Sequence, residues 1–232
     1  MSLEDPVFWT ALLKIIGVNI VLSGDNAVVI ALAARSLEGR QRKLAIIWGS
    51  GAAIVMRIVL TIFAVALLSL PWLKLIGSVL LLWIGVKLLI PEDEDAEIEA
   101  SDNLLKAIKI ILVADLVMSL DNVIAVAAAA GDSYVLLILG LAISIPLVIF
   151  GATLLIKVME RWPIIITIGA GLLGFVAGEM AWEDHAINGF TSQFPDFAKY
   201  VVAALGAAFV VILGWALAKR SARAPAAEDA KA

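Results

Sequence analysis

The sequence predicts an all-α, polytopic membrane protein of seven transmembrane helices, built as an inverted repeat of three helices (spans 1–3 and 4–6) plus a seventh. Three observations carry this prediction. Of 232 residues, 62% are apolar and 16% charged, against roughly 45–50% and about 25% in ordinary soluble domains. The mean hydropathy of +1.03 averages over the whole chain, so the apolar residues fill most of it rather than one anchor. The segment 19–34 also recurs, without a gap, at 115–130. The absence of cysteine, with a single histidine, His185, excludes disulfides, zinc–thiolate sites, iron–sulfur clusters and thiol catalysis.

Apolar runs between charged or Pro/Gly-rich breaks place helices at about 7–34, 44–69, 72–90, 104–130, 134–156, 163–181 and 200–218. Each is near or above the roughly 20 residues that cross about 30 Å of hydrocarbon. The first follows Glu4 and Asp5 with no basic residue, unlike the positive head of a signal peptide, and is expected to be retained as a span. The first and fourth are long and must tilt, kink or be interrupted. Only 91–103 and 182–199 are substantial connections, so residues 1–220 read as one transmembrane domain. Repeat A covers about 7–90, repeat B about 104–181 and the extra helix about 200–218, with 221–232 a disordered tail.

Basic residues orient the bundle. Arg35, Arg40, Arg42 and Lys43, then Lys87, Lys106 and Lys109, then Lys157 and Arg161, then Lys219, Arg220, Arg223 and Lys231 fall on one side of a seven-span chain, and only Lys74 and Lys199 on the other. The positive-inside rule places the N-terminus outside and the C-terminus in the cytoplasm of a cell with this protein in its inner (plasma) membrane. The acidic run Glu92 to Glu99 reads first as a solvated loop and second as a metal-concentrating antechamber.

Residues 19–34 read NIVLSGDNAVVIALAA and residues 115–130 read DLVMSLDNVIAVAAAA, sharing Val21/Val117, Ser23/Ser119, Asp25/Asp121, Asn26/Asn122 and three alanine pairs. Farther on, IGSVLLLWIG at 76–85 resembles IGAGLLGFVA at 168–177. Three helices separate the copies, so the second enters the membrane from the opposite side, an arrangement used by many secondary transporters with sites near the midplane. The duplicated part is also the most polar part of the spans. A carboxylate near a helix centre costs about 2.5–3.5 kcal/mol, so Asp25, Asp115 and Asp121 together cost on the order of 8–10 kcal/mol unless protonated, hydrated or compensated by a cation.

On an ideal helix Asn19, Ser23 and Asn26 form one stripe, and Asp115, Ser119 and Asn122 another. Asp25 and Asp121 lie off these stripes, and unwinding at Ser23-Gly24 would bring the first round; Leu120 replaces the glycine in the second copy. Oxygen-only ligands suit a hard divalent cation such as Mn²⁺, Mg²⁺ or Ca²⁺. Protonation and cation binding are alternative ways of removing a buried carboxylate's charge, so proton exchange is a natural coupling. The plainer alternative is an interhelical hydrogen-bond clamp with no ligand.

The motifs L-S-G-D-N-A at 22–27 and D-L-V-M-S-L-D-N-V at 115–123 resemble those of the TerC family of integral membrane proteins, and within it the short, YjbE-like branch, over nearly the whole chain. The resemblance implies an inner-membrane exporter of a divalent metal, Mn²⁺ above all, with Ca²⁺ the alternative. It carries over onto Asp25 and Asn26 in the first repeat and Asp115, Asp121 and Asn122 in the second. At Asn19 the sequence departs from the family pattern, where an acidic residue often precedes the first motif.

In this reading Asp25, Asp115 and Asp121 are ligands or proton exchangers, Asn19, Asn26 and Asn122 neutral ligands, and Ser23 and Ser119 weak ligands or supports. The bound cation is substrate, with no resident cofactor; the partners are that ion and the lipid bilayer, with no nucleic acid. The rival is a membrane scaffold or assembly factor in metal or tellurite stress. No nucleophile–base pair or cofactor motif suggests an enzyme.

Other polar residues carry two readings each. Arg57, mid-span, either neutralises an aspartate in the metal-free state, or snorkels or forms a purely structural pair. Lys14 is expected to snorkel. Lys87 and Glu179 close equivalent third helices, Glu179 at an interface or an outer exit. His185, beside Glu183 and Asp184, is an ordinary exposed histidine or an external metal stop. Trp9, Trp48, Trp72, Trp162, Trp182 and Trp215 fit interfacial belts. Gly174 and Gly178 form a G-x-x-x-G step for close helix packing.

Overall fold

A computed structural model describes residues 6–22, 24–63, 70–90, 100–130 and 134–221, and for some helical residues, Asn19 and Asp121 among them, the backbone alone. Within these residues the fold is all-helical, with no strand. The helices are α1 (Pro6–Leu22), α2 (Gly24–Ala34), α3 (Gly39–Ile62), α4 (Leu73–Leu89), α5 (Ala100–Ala130), α6 (Tyr134–Arg161), α7 (Ile164–Trp182), the short α8 (Asn188–Thr191) and α9 (Phe197–Ser221).

Four of them, Gly39–Ile62, Val135–Arg161, Ile164–Trp182 and Phe197–Ser221, are long and apolar enough to cross a bilayer. Helices occupy the other three expected places too, but with different character. The first place holds the separate segments α1 and α2, on either side of Ser23, which lies outside the described residues. At the third, α4 has 17 residues, about 25 Å of helix. At the fourth, α5 runs unbroken for 31 residues, so the second copy of the motif is continuous helix with no unwinding. The tail from 222 and the acidic run lie outside the described residues.

Two groups of helices form the body. In one, α4, α7 and α9 pack against one another. Small residues let the backbones of α7 and α9 touch: a Cβ on Gly178 would stand 2.6 Å from Ala203 Cα, and one on Gly174 would strike the Gly206 carbonyl. Apolar side chains gain nothing by hiding from lipid tails, so such close van der Waals contact supplies the association energy. The expected G-x-x-x-G packing is therefore present. Helices α4 and α7 run antiparallel, with Gly77 near Met180 and Gly85 near the Ala170 carbonyl.

The second group is α1, α2, α3, α5 and α6. Every residue of α2 from Val29 to Ala34 is buried; a helix that is apolar all round belongs in the interior. It forms the axis of a core that includes Leu32, Ile111, Leu81 and Leu173.

Charged residues tie the ends. Arg42 donates through Nε to the Leu37 carbonyl (2.6 Å), through Nη2 to the Arg35 carbonyl (3.2 Å), and pairs with Glu160 at 2.6 Å, joining the start of α3 to the end of α6. At the other end Asp184 is fully buried. Its Oδ1 accepts the N–H of Trp72 (3.0 Å) and Ala186 (2.7 Å), and its Oδ2 accepts the N–H of Leu75 (2.9 Å). These caps satisfy first-turn amides of α4 and hold Trp72 at φ 71°, an uncommon backbone for a bulky residue. Burial works against ionisation of Asp184, but the amide hydrogen bonds outweigh it and hold its carboxyl below the usual aspartate range.

Candidate cation site at the junction of α2, α3 and α5

Asp115 stands at the midpoint of α5, about 22 Å of helix from either end. A carboxylate there needs a counter-charge, and α3 brings one: Arg57 Nη2 pairs with Asp115 Oδ1, both side chains buried. Arg57 Nε donates to Ser119 Oγ (2.9 Å), and Ser119 Oγ donates to Asp115 Oδ2 (3.1 Å). Asp115 and Ser119 are one helical turn apart, so they share a face, as the stripe argument requires. Thr61 Oγ1 donates to the Arg57 carbonyl at 2.7 Å. Arg57 is buried and paired rather than snorkelling, as both the neutralising and the structural-pair readings require.

The first repeat reaches the same place through α2. Asp25 lies in its first turn, half-buried, and accepts the Asn26 N–H at Oδ1 (2.8 Å). Amides at a helix start lack a carbonyl partner one turn earlier, and a carboxylate there also meets the positive end of the helix dipole. Arg57 and Asp115 both act on Asp25 electrostatically. Beyond it, Asn26 is buried, and among the described residues neither its amide nitrogen nor its amide oxygen has a hydrogen-bond partner.

Asn26, Ser50, Arg57 and Asp115 line one small cavity, closed on its apolar side by Ile30, Ala53, Ile54 and Val148. Its volume is about 20 Å³, close to the space one water occupies. The Ser50 hydroxyl, also buried, has no partner among the described residues either. A buried polar atom without a partner is costly, on the order of 1–3 kcal/mol, and here three such atoms belong to residues lining one void beside a carboxylate. The Asn26 and Ser50 oxygens beside the Asp115 carboxylate suit a hard cation or a water, with the Arg57 guanidinium in the same lining.

The sequence argument therefore brings Asp25, Asn26, Asp115 and Ser119 to one junction with Arg57. Asn122, one turn on from Ser119, is buried. The side chains of Asn19, Ser23 and Asp121 lie outside the described residues. Among the described residues no three His, Asp or Glu side chains converge, so the described donors include amide and hydroxyl groups beside the carboxylates. Ser50 was not expected. Its signal is its spacing: seven residues before Arg57, it lies two turns away on the same face of α3.

The remaining candidates resolve differently. His185 is exposed, and both oxygens of Asp184 are occupied by backbone amides. Glu183 pairs with Lys74 (3.2 Å) and with Lys199, which also lies 3.4 Å from Glu179. Partial burial works against its ionisation, yet the Lys199 hydrogen bond and the Lys74 charge hold its carboxyl below the usual range. The external metal stop is replaced by a structural cap and an ion-pair cluster. Glu179 belongs to that cluster, and Lys14 is exposed, as snorkelling requires.

Comparison with known proteins agrees with this picture. The model of the integral membrane protein TerC family matches residues 4–222. The uncharacterized membrane protein YjbE of Bacillus subtilis (strain 168) is 43% identical over 202 residues, 87% of this chain and 92% of that protein. Its uncharacterized membrane protein YceF is 25% identical over 91% of this chain and 83% of its own length. The inner membrane protein YgdQ of Escherichia coli (strain K12) is 26% identical over 81% and 88%. No solved structure matches. This multi-pass integral membrane chain belongs to the TerC family.

Proposed function

We propose that the protein is a secondary transporter that exports a divalent cation across the cytoplasmic membrane, Mn²⁺ being the substrate to test first and Ca²⁺ the second. The observation that carries the reading is the void beside Asp115, lined by the unpartnered Asn26 amide and Ser50 hydroxyl. In this reading Asp25, Asp115 and Asp121 supply charge, and Asn19, Asn26, Asn122, Ser23 and Ser119 neutral oxygens. Arg57 fills the electrostatic role of the ion while the site is vacant. Exchange of protons for the cation at the carboxylates would couple transport to the proton gradient. The seven-span, inverted-repeat architecture with the N-terminus outside belongs to the same reading. It is supported by the antiparallel pairing of α4 with α7, the third helix of each half.

The test is Mn²⁺ flux in proteoliposomes. Asp121→Asn and Asp115→Asn are expected to abolish flux while the protein remains folded by circular dichroism; full flux from both overturns the proposal. One observation favours a second reading, a non-transporting scaffold: Arg57, Asp115 and Ser119 are joined by their own hydrogen bonds and ion pair. Thermal stabilisation by Mn²⁺ over EDTA separates the two, since a clamp has no differential affinity for the ion.

A further inference from the structure

Where α2 and α4 end and α5 begins, Arg35, Ser36, Lys87, Asn103 and Lys106 line a cavity of about 60 Å³. It continues into a larger groove of about 410 Å³ between α4 and α5, because Lys87, Lys106 and Ile110 border both. The groove adds Lys109 and the apolar side chains of Trp83, Leu105 and Val113. Trp83 and Leu105 are more than half exposed, and Lys87 Nζ sits 4.8 Å over the Trp83 ring. Among the described residues, none lining either space is acidic. Charge is thus concentrated at the end of the bundle, and apolar surface runs from it towards the membrane interior.

We propose that this continuous feature is a binding site for an anionic glycerophospholipid. The phosphate would lie against Lys87, Lys106 and Arg35, and an acyl chain along Trp83, Ile110 and Val113. Basic pockets between helices recognise anionic headgroups, and the groove requires an apolar ligand. The acidic segment 91–99 of this chain is tethered between Ile90 and Ala100 and offers matching charge. Its run of carboxylates does not suit the apolar groove, whereas one lipid suits both parts.

The test uses the full chain in neutral detergent, titrated with dioleoyl phosphatidylglycerol, dioleoyl phosphatidylcholine or inorganic phosphate, with native mass spectrometry and thermal unfolding as readouts. Phosphatidylglycerol alone is expected to bind and raise the unfolding temperature. Each lysine near a headgroup is worth about five-fold in affinity, so Lys87→Gln with Lys106→Gln weakens binding about twenty-five-fold. Lys219→Gln with Arg220→Gln, basic residues that line neither space, leaves it unchanged. Val113→Trp, which fills the groove and leaves the charges, also abolishes it. Equal binding of phosphatidylcholine, an equal shift with phosphate, or equal weakening by both charge pairs overturns the proposal. So does phosphatidylglycerol binding that appears only after Glu92, Glu94, Glu97 and Glu99 are changed to Gln, because the acidic segment then owns the pocket.

Discussion

Replacing Arg57 by Met leaves the Asp115 carboxylate buried at mid-helix without its guanidinium. The two side chains expose only 3% and 9% of their surfaces, so water does not take over the lost role. Removing one partner of such a pair costs about 3–5 kcal/mol, whereas removing both is often near neutral. Arg57→Met and Asp115→Asn are therefore each expected to destabilise by about 3–5 kcal/mol, and the double variant by much less than their sum. A coupling energy of at least about 3 kcal/mol follows. Equilibrium unfolding of the purified protein in mixed micelles measures it. If Asp115 also binds the transported ion, Mn²⁺ at about a hundred times its Kd adds about 2.7 kcal/mol to Arg57→Met; the added Asp115→Asn change removes that gain. Simple additivity of the two single costs would refute the pairing, and a Mn²⁺ gain that survives Asp115→Asn would refute the ligand role.

Ser50→Ala removes a buried hydroxyl without a partner and is expected to raise stability without metal by roughly 1 kcal/mol while lowering Mn²⁺ flux; unfolding and flux assays check the opposed signs. Gly174→Ala drives a methyl into the α9 backbone and should cost about 1–3 kcal/mol. Gly171→Ala, whose Cβ would meet only Val211 at an ordinary 3.4 Å, should cost far less by the same unfolding assay. Asp184→Asn should destabilise at neutral pH by about 0.5–2 kcal/mol, the worth of a helix cap. Because folding lowers the Asp184 pKa, its contribution is complete above the unfolded aspartate value of about 3.9 and fades as pH falls through the folded one. The gap between wild type and Asp184→Asn, measured across acid pH, should close from that side.

The helices were legible because in a bilayer the apolar run and the spanning segment are nearly the same thing. Their ends were less so. Span 44–69 begins as Gly39–Ile62, and 134–156 extends to Arg161, because a helix continues past the hydrocarbon with charged turns such as Arg40 to Lys43. For the site, the need of Asp115 for compensation could be read from cost alone. That Arg57 answers it depends on how α3 lies against α5. Ser50 looked like any small residue in a helix. The Asp184 cap joins groups 112 residues apart, a distance over which local sequence carries no capping signal.

The glycine contact between α7 and α9 bears on the order of synthesis. Helix α9 is synthesised after α4 and α7, and until it arrives Gly174 and Gly178 present a backbone notch that fluid lipid chains fill poorly. A chain stopped before residue 197 would keep its first helices and its polar junction, yet lack the surface that closes α4 and α7. Closure of α4 and α7 thus waits on α9, and a premature stop before it would be felt by quality-control proteases more than its distance from the site suggests.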